Sequence, residues 1–239
     1  MLSRLRQGVT ALLSAAAAWR LFKPAVFLAC LAPGVWLGVR AWRFFRGGDF
    51  LALGPDPAKT LLHETGENAL VILFITLSVT PVRRLFQVNR LQAVRRMLGV
   101  WAFTYALSHV SVYLVFDQLC YSVATCEFNA IKEDILKRRF IFAGMTAFSI
   151  LLPLAITSTS GWVRRLKKNW QRLHRLVYVA AGAAVVHYTW IQKSDIRVPL
   201  RYAAVLLLLL GIRVVFAWQK RRPVPYGRRR RPPGAGGRP

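Results

Sequence analysis

Acidic residues are scarce in this sequence, which has nine Asp and Glu against 35 Lys and Arg among its 239 residues. No acid falls near the middle of a long apolar segment, where carriers of ions and protons use such residues, and this absence counts against a transporter. A Gly-rich phosphate-binding motif is missing as well. The chain is therefore not expected to carry a soluble nucleotide-binding domain of its own.

Long apolar segments, in contrast, are abundant. Hydrophobic residues make up 55% of the chain, and a helix needs roughly 20 mostly apolar residues to cross about 30 Å of hydrocarbon. The segments that meet this requirement are 24–42, 66–82, 97–117, 140–158, 175–191 and 200–218. We therefore predict an all-α fold, an integral membrane bundle of about six transmembrane helices.

The charges alternate from loop to loop along the chain. Lys and Arg cluster in 1–23, in 83–96, in 164–175 and after 220, whereas all nine acids fall in or beside the other loops. An excess of Lys and Arg near span ends marks the cytoplasmic side of a membrane, so both termini are predicted to be cytoplasmic. The net charge of +26 is then a property of membrane topology, and nucleic acid is not an expected partner.

Three regions follow from this pattern. Residues 1–23 are predicted to form a cytoplasmic amphipathic lead-in, and residues 24–218 the six-helix transmembrane domain. Residues 219–239 are rich in Pro, Gly and Arg, cannot bury apolar surface and are expected to be disordered. A basic segment beside a span favours anionic lipid headgroups, so membrane lipids are expected partners.

Two of the four histidines are predicted to lie at the same depth in the membrane. His109 follows the inner end of its span, near Met97, by 12 residues, and His187 follows His174 by 13. At about 1.5 Å per residue, both lie roughly 18–20 Å from the cytoplasmic face. Two imidazoles on different spans can hold one metal centre. Imidazole is a suitable ligand for iron, and a haem gives the iron a flat, apolar ligand that fits between helices. An interhelical hydrogen bond is the alternative; zinc is disfavoured because no third ligand lies at that depth.

The other two histidines lie near the ends of spans. His174 is at the cytoplasmic end of the fifth span, where it is a candidate single ligand of a second haem, a contact of a propionate or quinone, or a headgroup-region residue. A straight helix would turn His174 and His187 to different faces, and Gly182 between them is a candidate bend. His63, at the outer end of the second span, is interpreted first as a surface residue.

Two arginines and two cysteines complete the candidates. Arg95 and Arg96 begin the third span at the cytoplasmic face, where they are candidate contacts of haem propionates or of a quinone oxygen. Topology and lipid contact are the alternative for both. Cys120 and Cys126 fall in one outer loop, where a small disulfide or two free thiols are equally expected.

Several segments of the chain resemble the MsrQ (YedZ) family, the haem-binding membrane subunit of the periplasmic methionine sulfoxide reductase system of bacteria. The resemblance covers roughly residues 20–218, and it is carried by the segments GPDPAKTLLHETGENAL, LSVTPVRR, RRMLGVWAFTYALSHVSVY and ITSTSGWVRRLKKNWQRLHRLVYVAAGAAVVHYTW. The family belongs to the ferric reductase-like transmembrane superfamily. The resemblance therefore implies a multi-pass protein of the bacterial inner (cytoplasmic) membrane.

The resemblance also implies cofactors and partners. It implies haem b, one or two per chain, with His109, His174 and His187 at the family's ligand positions, and it associates the flavin FMN with the chain. Quinol or a flavin donor is the implied source of electrons. The implied acceptor is a periplasmic molybdopterin subunit that reduces methionine sulfoxide, so this chain is an electron-transfer subunit and not the substrate-reducing catalyst. No catalytic residue is assigned to it.

Two other functions remain as alternatives at this point. A stand-alone ferric-chelate reductase shares the haem but needs no protein partner, and its short outer loops count against a substrate pocket. A haem-free transporter or scaffold predicts no haem absorbance at all. In the leading interpretation electrons enter near the inner side and leave at the outer face, where loops 43–65, 118–139 and 192–199 form the expected docking surface.

Overall fold

The computed structural model describes residues 16–118, 126–192 and 195–221, and the regular structure in these residues is entirely helical. The helices, with a 3₁₀ turn at Asn89–Leu91 before the third, are α1 (Ala16–Gly47), α2 (Pro57–Phe86), α3 (Gln92–Phe116), α4 (Phe128–Lys137), α5 (Arg139–Ile156), α6 (Ser160–Leu166), α7 (Lys168–His174), α8 (Val177–Ile191) and α9 (Arg197–Arg221). The all-α prediction is confirmed.

Among these described residues, five helical segments are long and apolar enough to cross a membrane, namely Arg20–Gly47, Pro57–Phe86, Asn89–Phe116, Arg139–Ile156 and Arg197–Gln219. The remaining predicted span, 175–191, corresponds to α8, which has only 15 residues. At 1.5 Å per residue such a helix is about 22 Å long, less than the hydrocarbon thickness of about 30 Å. The apolar segment is nevertheless central to the bundle, because Ala180 and Ala181 are fully buried.

Two antiparallel helix pairs form the centre of the bundle. The helix α2 packs along α3, and α5 packs along α8. Apolar side chains from all four helices meet in one core, which also includes residues of α1 and α9. The small residues of α8 allow close approach of its neighbours, as in membrane helix packing generally. The centre of the bundle therefore contains the helices that carry His109 and His187.

A tyrosine hydroxyl of α3 bonds two backbone groups of the first helix and so attaches α1 to α3. The hydroxyl of Tyr105 donates to the carbonyl of Cys30 and accepts from the amide of Gly34, each at 2.7 Å. In an unbroken helix this amide would bond that carbonyl directly, four residues earlier. The break follows Pro33, which lies inside α1 and has no amide hydrogen to donate. A tyrosine from α3 thus replaces one helical hydrogen bond of α1.

The last helix is attached to the core through a half-buried cation. Arg213 of α9 donates to the hydroxyl of Tyr178 in α8 and to the backbone carbonyl of Leu77 in α2. Its guanidinium also lies over the Tyr178 ring, 4.9 Å from the centroid. Arg213 therefore points into the bundle, and it connects α9 to both central helix pairs.

Three of the sequence predictions fall wholly or mostly outside the described residues. Residues 1–15 of the lead-in and residues 222–239 of the tail are not among those described, and α1 is already helical from Ala16. Cys126 is disulfide-bonded, but Cys120 also lies outside the described residues, so the pairing of these two cysteines stays a prediction. Cys30 is a buried free thiol.

Candidate functional site

The structure brings His109 of α3 and His187 of α8 together inside the bundle. The centroids of the two imidazole rings are 6.0 Å apart, and the ring planes are inclined by 85°. A bond between a metal ion and an imidazole nitrogen is about 2.0 Å long. Two rings at this separation can therefore share one metal ion, provided that both Nε2 atoms face it.

The tautomer of both histidines follows from their hydrogen bonds. Nδ1 of His109 lies 2.9 Å from the carbonyl oxygen of Leu62, and Nδ1 of His187 lies 2.6 Å from that of Phe140. A carbonyl only accepts, so each Nδ1 must carry the hydrogen and each neutral ring keeps its lone pair on Nε2. A backbone carbonyl bonded to the other ring nitrogen is the usual partner of a metal-bound histidine. Both histidines thus present the chemistry of axial ligands.

His174, in α7, lines a cavity that includes neither His109 nor His187 in its walls. This cavity of about 410 Å³ lies near the ends of the central helices that the sequence predicts to be cytoplasmic, and its walls include His174, Arg95, Arg96, Arg175 and Tyr178. The three arginines add positive charge to its lining. It lies about where the sequence placed Arg95 and Arg96, at the inner end of the third span.

The imidazole of His174 is held by the residue one turn earlier. Its ring stacks on Trp170 with centroids 3.9 Å apart, and its Nδ1 donates to the Trp170 carbonyl at 3.1 Å. Nε2 is buried and has no hydrogen-bond partner among the described residues. Burial lowers the pKa of His174, and the charge of Arg95 acts in the same direction. His174 thus brings a buried ring nitrogen to a cavity that also contains arginines.

His174 and His187 do not belong to one continuous helix. The helix α7 ends at His174, and α8 begins at Val177 after a turn at Arg175 and Leu176. A bend at Gly182 is not needed to separate the two histidines, because the chain already turns at Arg175 and Leu176 and α8 continues through Gly182. This turn separates His174 from the paired histidine.

Comparison with known proteins identifies a family for this chain. A family model described as ferric reductase like transmembrane component matches residues 65–185. Three relatives carry the name protein-methionine-sulfoxide reductase heme-binding subunit MsrQ. The one from Xanthomonas euvesicatoria is 46% identical over 198 residues, covering 83% of this chain and 86% of its own. The one from Xanthomonas campestris strain 8004 is 48% identical over 192 residues, covering 80% and 85%. The one from Herminiimonas arsenicoxydans is 45% identical over 172 residues, covering 71% and 76%.

The chain belongs to the MsrQ family. Family membership and the five apolar helices make it a multi-pass membrane protein of bacterial type. No solved structure matches it.

The fourth histidine of this MsrQ-family chain lies apart from both sites. His63 is half-exposed on α2, and its Nδ1 is 3.7 Å from a carboxylate oxygen of Glu67 one turn later. This position agrees with the interpretation of His63 as a surface residue. Within residues 16–118, 126–192 and 195–221, no group of three or more His, Cys, Asp or Glu side chains is arranged to hold a metal ion.

Residues that support the two histidine sites and the bundle around them differ in how strongly the sequence marks them. The backbone carbonyls of Leu62 and Phe140 belong to apolar residues, and no side-chain pattern marks them as hydrogen-bond acceptors. Trp170 carries a weak signal, since an aromatic residue four positions before a histidine lies on the same helix face. Arg213 carries the strongest signal, because an arginine in an apolar span is a functional candidate by default.

Proposed function

We propose that this chain is a haem b electron-transfer subunit of the methionine sulfoxide reductase system, with His109 and His187 as the two axial ligands of one haem. A single observation carries this proposal: two imidazoles from different helices face each other at a centroid distance of 6.0 Å. The name of the relatives, heme-binding subunit, supports it.

The chemistry of such a centre follows from its ligands. A haem held by His109 and His187 would supply one-electron transfer, and with both imidazoles on the iron it would have no position for oxygen or substrate. The part of the protein is to hold the two imidazoles neutral and oriented, through the carbonyls of Leu62 and Phe140. Both acceptors are backbone atoms of regular helices, so neither moves with a side-chain rotamer. The arrangement is suited to transfer without large structural change.

The position of the pair supports an exit of electrons at the outer face. His187 precedes the end of α8 at Ile191 by four residues, and His109 precedes the end of α3 at Phe116 by seven. At 1.5 Å per residue these ends are about 6 and 10 Å away. Both ends point to the side that carries the predicted docking loops, where a periplasmic molybdopterin reductase subunit is the proposed acceptor.

The inner cavity is the proposed point of entry for electrons. His174 presents a buried Nε2 without a partner, and it is proposed as the protein ligand of a second haem. Arg95 and Arg96 line the same cavity and are proposed to contact carboxylates of such a group, or the oxygen of a quinone. Quinol or a flavin donor is the proposed reductant. FMN remains an implication of the family resemblance, which flavin fluorescence of the denatured, purified protein would test.

The proposal is tested by a reduced-minus-oxidised absorbance spectrum of the detergent-purified chain, combined with pyridine haemochrome quantitation. A b-type spectrum is expected. Replacement of either proposed ligand, His109→Ala or His187→Ala, is expected to remove one haem per chain, because the variant loses one of the two imidazoles that would hold the iron. Full haem retention by both single variants, in protein that elutes as wild type on size exclusion, would overturn the assignment of the pair. Absence of haem after expression with ample haem supply would overturn the function itself.

A further inference from the structure

Each histidine of the pair lies against a glycine of the neighbouring helix. A Cβ atom placed on Gly66 of α2 would lie 3.0 Å from Nδ1 of His109, and one placed on Gly144 of α5 would lie 2.7 Å from Nδ1 of His187. The first separation is tighter than nine in ten contacts of real Cβ atoms, and the second is shorter than real Cβ atoms essentially ever show. Any residue other than glycine would therefore press on the imidazole.

Each glycine stands one turn after the carbonyl that accepts the imidazole hydrogen. Gly66 follows Leu62 by four residues, and Gly144 follows Phe140 by four. In a helix the carbonyl of one residue bonds the amide four positions later. A side chain at the later position borders the space through which an external donor reaches that carbonyl. The missing Cβ leaves this approach open, so the imidazole can lie against the helix and reach the oxygen from the side.

The same unit occurs twice in the chain. In both helix pairs 47 residues separate the histidine from the carbonyl that accepts its hydrogen. His187 follows His109 by 78 residues (187 minus 109), and Gly144 follows Gly66 by the same distance (144 minus 66). The two helix pairs thus place a histidine, a carbonyl and a glycine at the same separations along the sequence. A packing accident in one pair would not produce it in the other.

We propose that Gly66 and Gly144 are positioning residues of the haem centre, each of which keeps a helix surface open so that His109 or His187 can give its Nδ1 hydrogen to a backbone carbonyl and point Nε2 at the iron. This inference rests on the proposed function, since it takes the two histidines to be the axial ligands. It assigns a role to two residues that contact neither iron nor substrate.

The proposed role has consequences for the electronic state of the centre. The hydrogen bond to the carbonyl fixes the tautomer and the rotation of each ring, and it raises the basicity of the ligating nitrogen. The two rings are held nearly perpendicular, at 85°. An added methyl group must shift the ring, lengthen the hydrogen bond or rotate the ring plane. Each of these changes alters the iron's ligand field as well as the affinity for haem.

The experiment uses the full-length chain with Gly144→Ala and Gly66→Ala, each purified in detergent after expression with ample haem. The matched control is Gly182→Ala, which lies on α8 with His187 but has no neighbour within 4 Å of the added Cβ. A second control, Gly38→Ala on α1, also meets open space. Alanine favours a helix more than glycine does, so the substitutions do not weaken helix formation itself.

Three quantities are measured: haem content, haem affinity of the apoprotein by Soret titration, and the EPR spectrum and midpoint potential of the haem that is retained. Gly144→Ala is expected to lose roughly 10- to 100-fold in haem affinity, as loss of a ligand-orienting contact does. Gly66→Ala is expected to lose less, because its contact is 0.3 Å longer (3.0 against 2.7 Å), but to shift the EPR signal and the potential. Both controls are expected to match wild type in all three measurements.

The outcomes distinguish this inference from the proposed function. Wild-type affinity, EPR and potential in both Gly144→Ala and Gly66→Ala would overturn the positioning role, even where His109→Ala and His187→Ala lose haem. An equal loss in Gly182→Ala would overturn it as well, since a Cβ there meets no described atom within 4 Å. Haem retention by the two histidine variants would instead overturn the assignment of the pair on which this inference rests. If Gly144→Ala fails to give monodisperse protein, the milder Gly66→Ala decides by the same measurements.

Discussion

The half of the bundle that is predicted to face outwards (the outer half) and the half that is predicted to face the cytoplasm (the inner half) hold their histidines in different ways. In the outer half, His109 and His187 come from two separate helices and face each other, and each is fixed by a carbonyl of a third or fourth helix. In the inner half, His174 stands alone on a short helix and is fixed by Trp170 of that same helix. The outer site is thus determined by helix packing, whereas the inner site is determined by local sequence and by the arginines around its cavity.

This difference teaches how one bundle can hold two kinds of site. Four regular helices impose one geometry on the outer pair, so a group bound there is sandwiched between two protein ligands. The inner cavity has one imidazole and several cations, so a group bound there must bring negative charge or complete its own coordination. Three predictions break or sharpen this comparison, and they are ordered by the size of the expected effect.

The largest effect is expected from removal of the inner histidine. His174→Ala is expected to lower the haem content by one per chain while the absorbance and EPR of the outer centre stay as in wild type, because no atom of His174 supports His109 or His187. The measurement is pyridine haemochrome quantitation with EPR. An unchanged haem content would show that the cavity takes another anionic or quinone-like group, and a loss of the outer signal would remove the independence of the two halves.

A smaller effect is expected from Arg213, which holds α9 against both helix pairs. Arg213→Met loses two hydrogen bonds and leaves the Leu77 carbonyl without this donor. The expected cost is about 1–3 kcal/mol in the free energy of unfolding, as for other buried polar groups that lose a partner. The check is unfolding of the purified protein in mixed detergent micelles. Tyr178→Phe, which removes only the hydroxyl, is the control and is expected to cost less; equal stability of Arg213→Met and wild type would contradict the prediction.

The smallest effect is expected at the fourth histidine. His63→Gln is expected to leave haem content, potential and stability unchanged, because His63 is half-exposed and its only described ionic neighbour is Glu67 at 3.7 Å. The same spectra and unfolding curves are the measurement. Loss of haem in this variant would contradict the prediction and would show that the outer site includes a third ligand besides His109 and His187.

Part of this architecture was predictable from residue types alone. Apolar length and the alternation of basic and acidic loops located the helices, because lipid requires apolar spans and the cytoplasmic side retains Lys and Arg. Counting residues from the span ends gave the same depth to His109 and His187. The structure places the two rings 6.0 Å apart, although the count to His187 started at His174, beyond the turn at Arg175 and Leu176.

Other features could not be read from residue types. The length of α8 and the break at Arg175 and Leu176 depend on how the chain turns before Val177, a turn that Gly182 did not indicate. The hydrogen bonds of Leu62 and Phe140 involve backbone atoms, which every residue has. Only the packing of α2 on α3 and of α5 on α8 decides which of these carbonyls an imidazole reaches.

The sequence by itself determined the helical class, the apolar spans and the residues able to ligate iron, since each of these depends on local composition and on the fixed geometry of a helix. The tertiary structure alone decided that His109 and His187 face each other, that Gly66 and Gly144 lie against them, and that Arg213 joins three helices. The physical reason is that ring orientation and close contact depend on the rotation and separation of helices. Those quantities are set by the sum of many packing contacts rather than by any single residue.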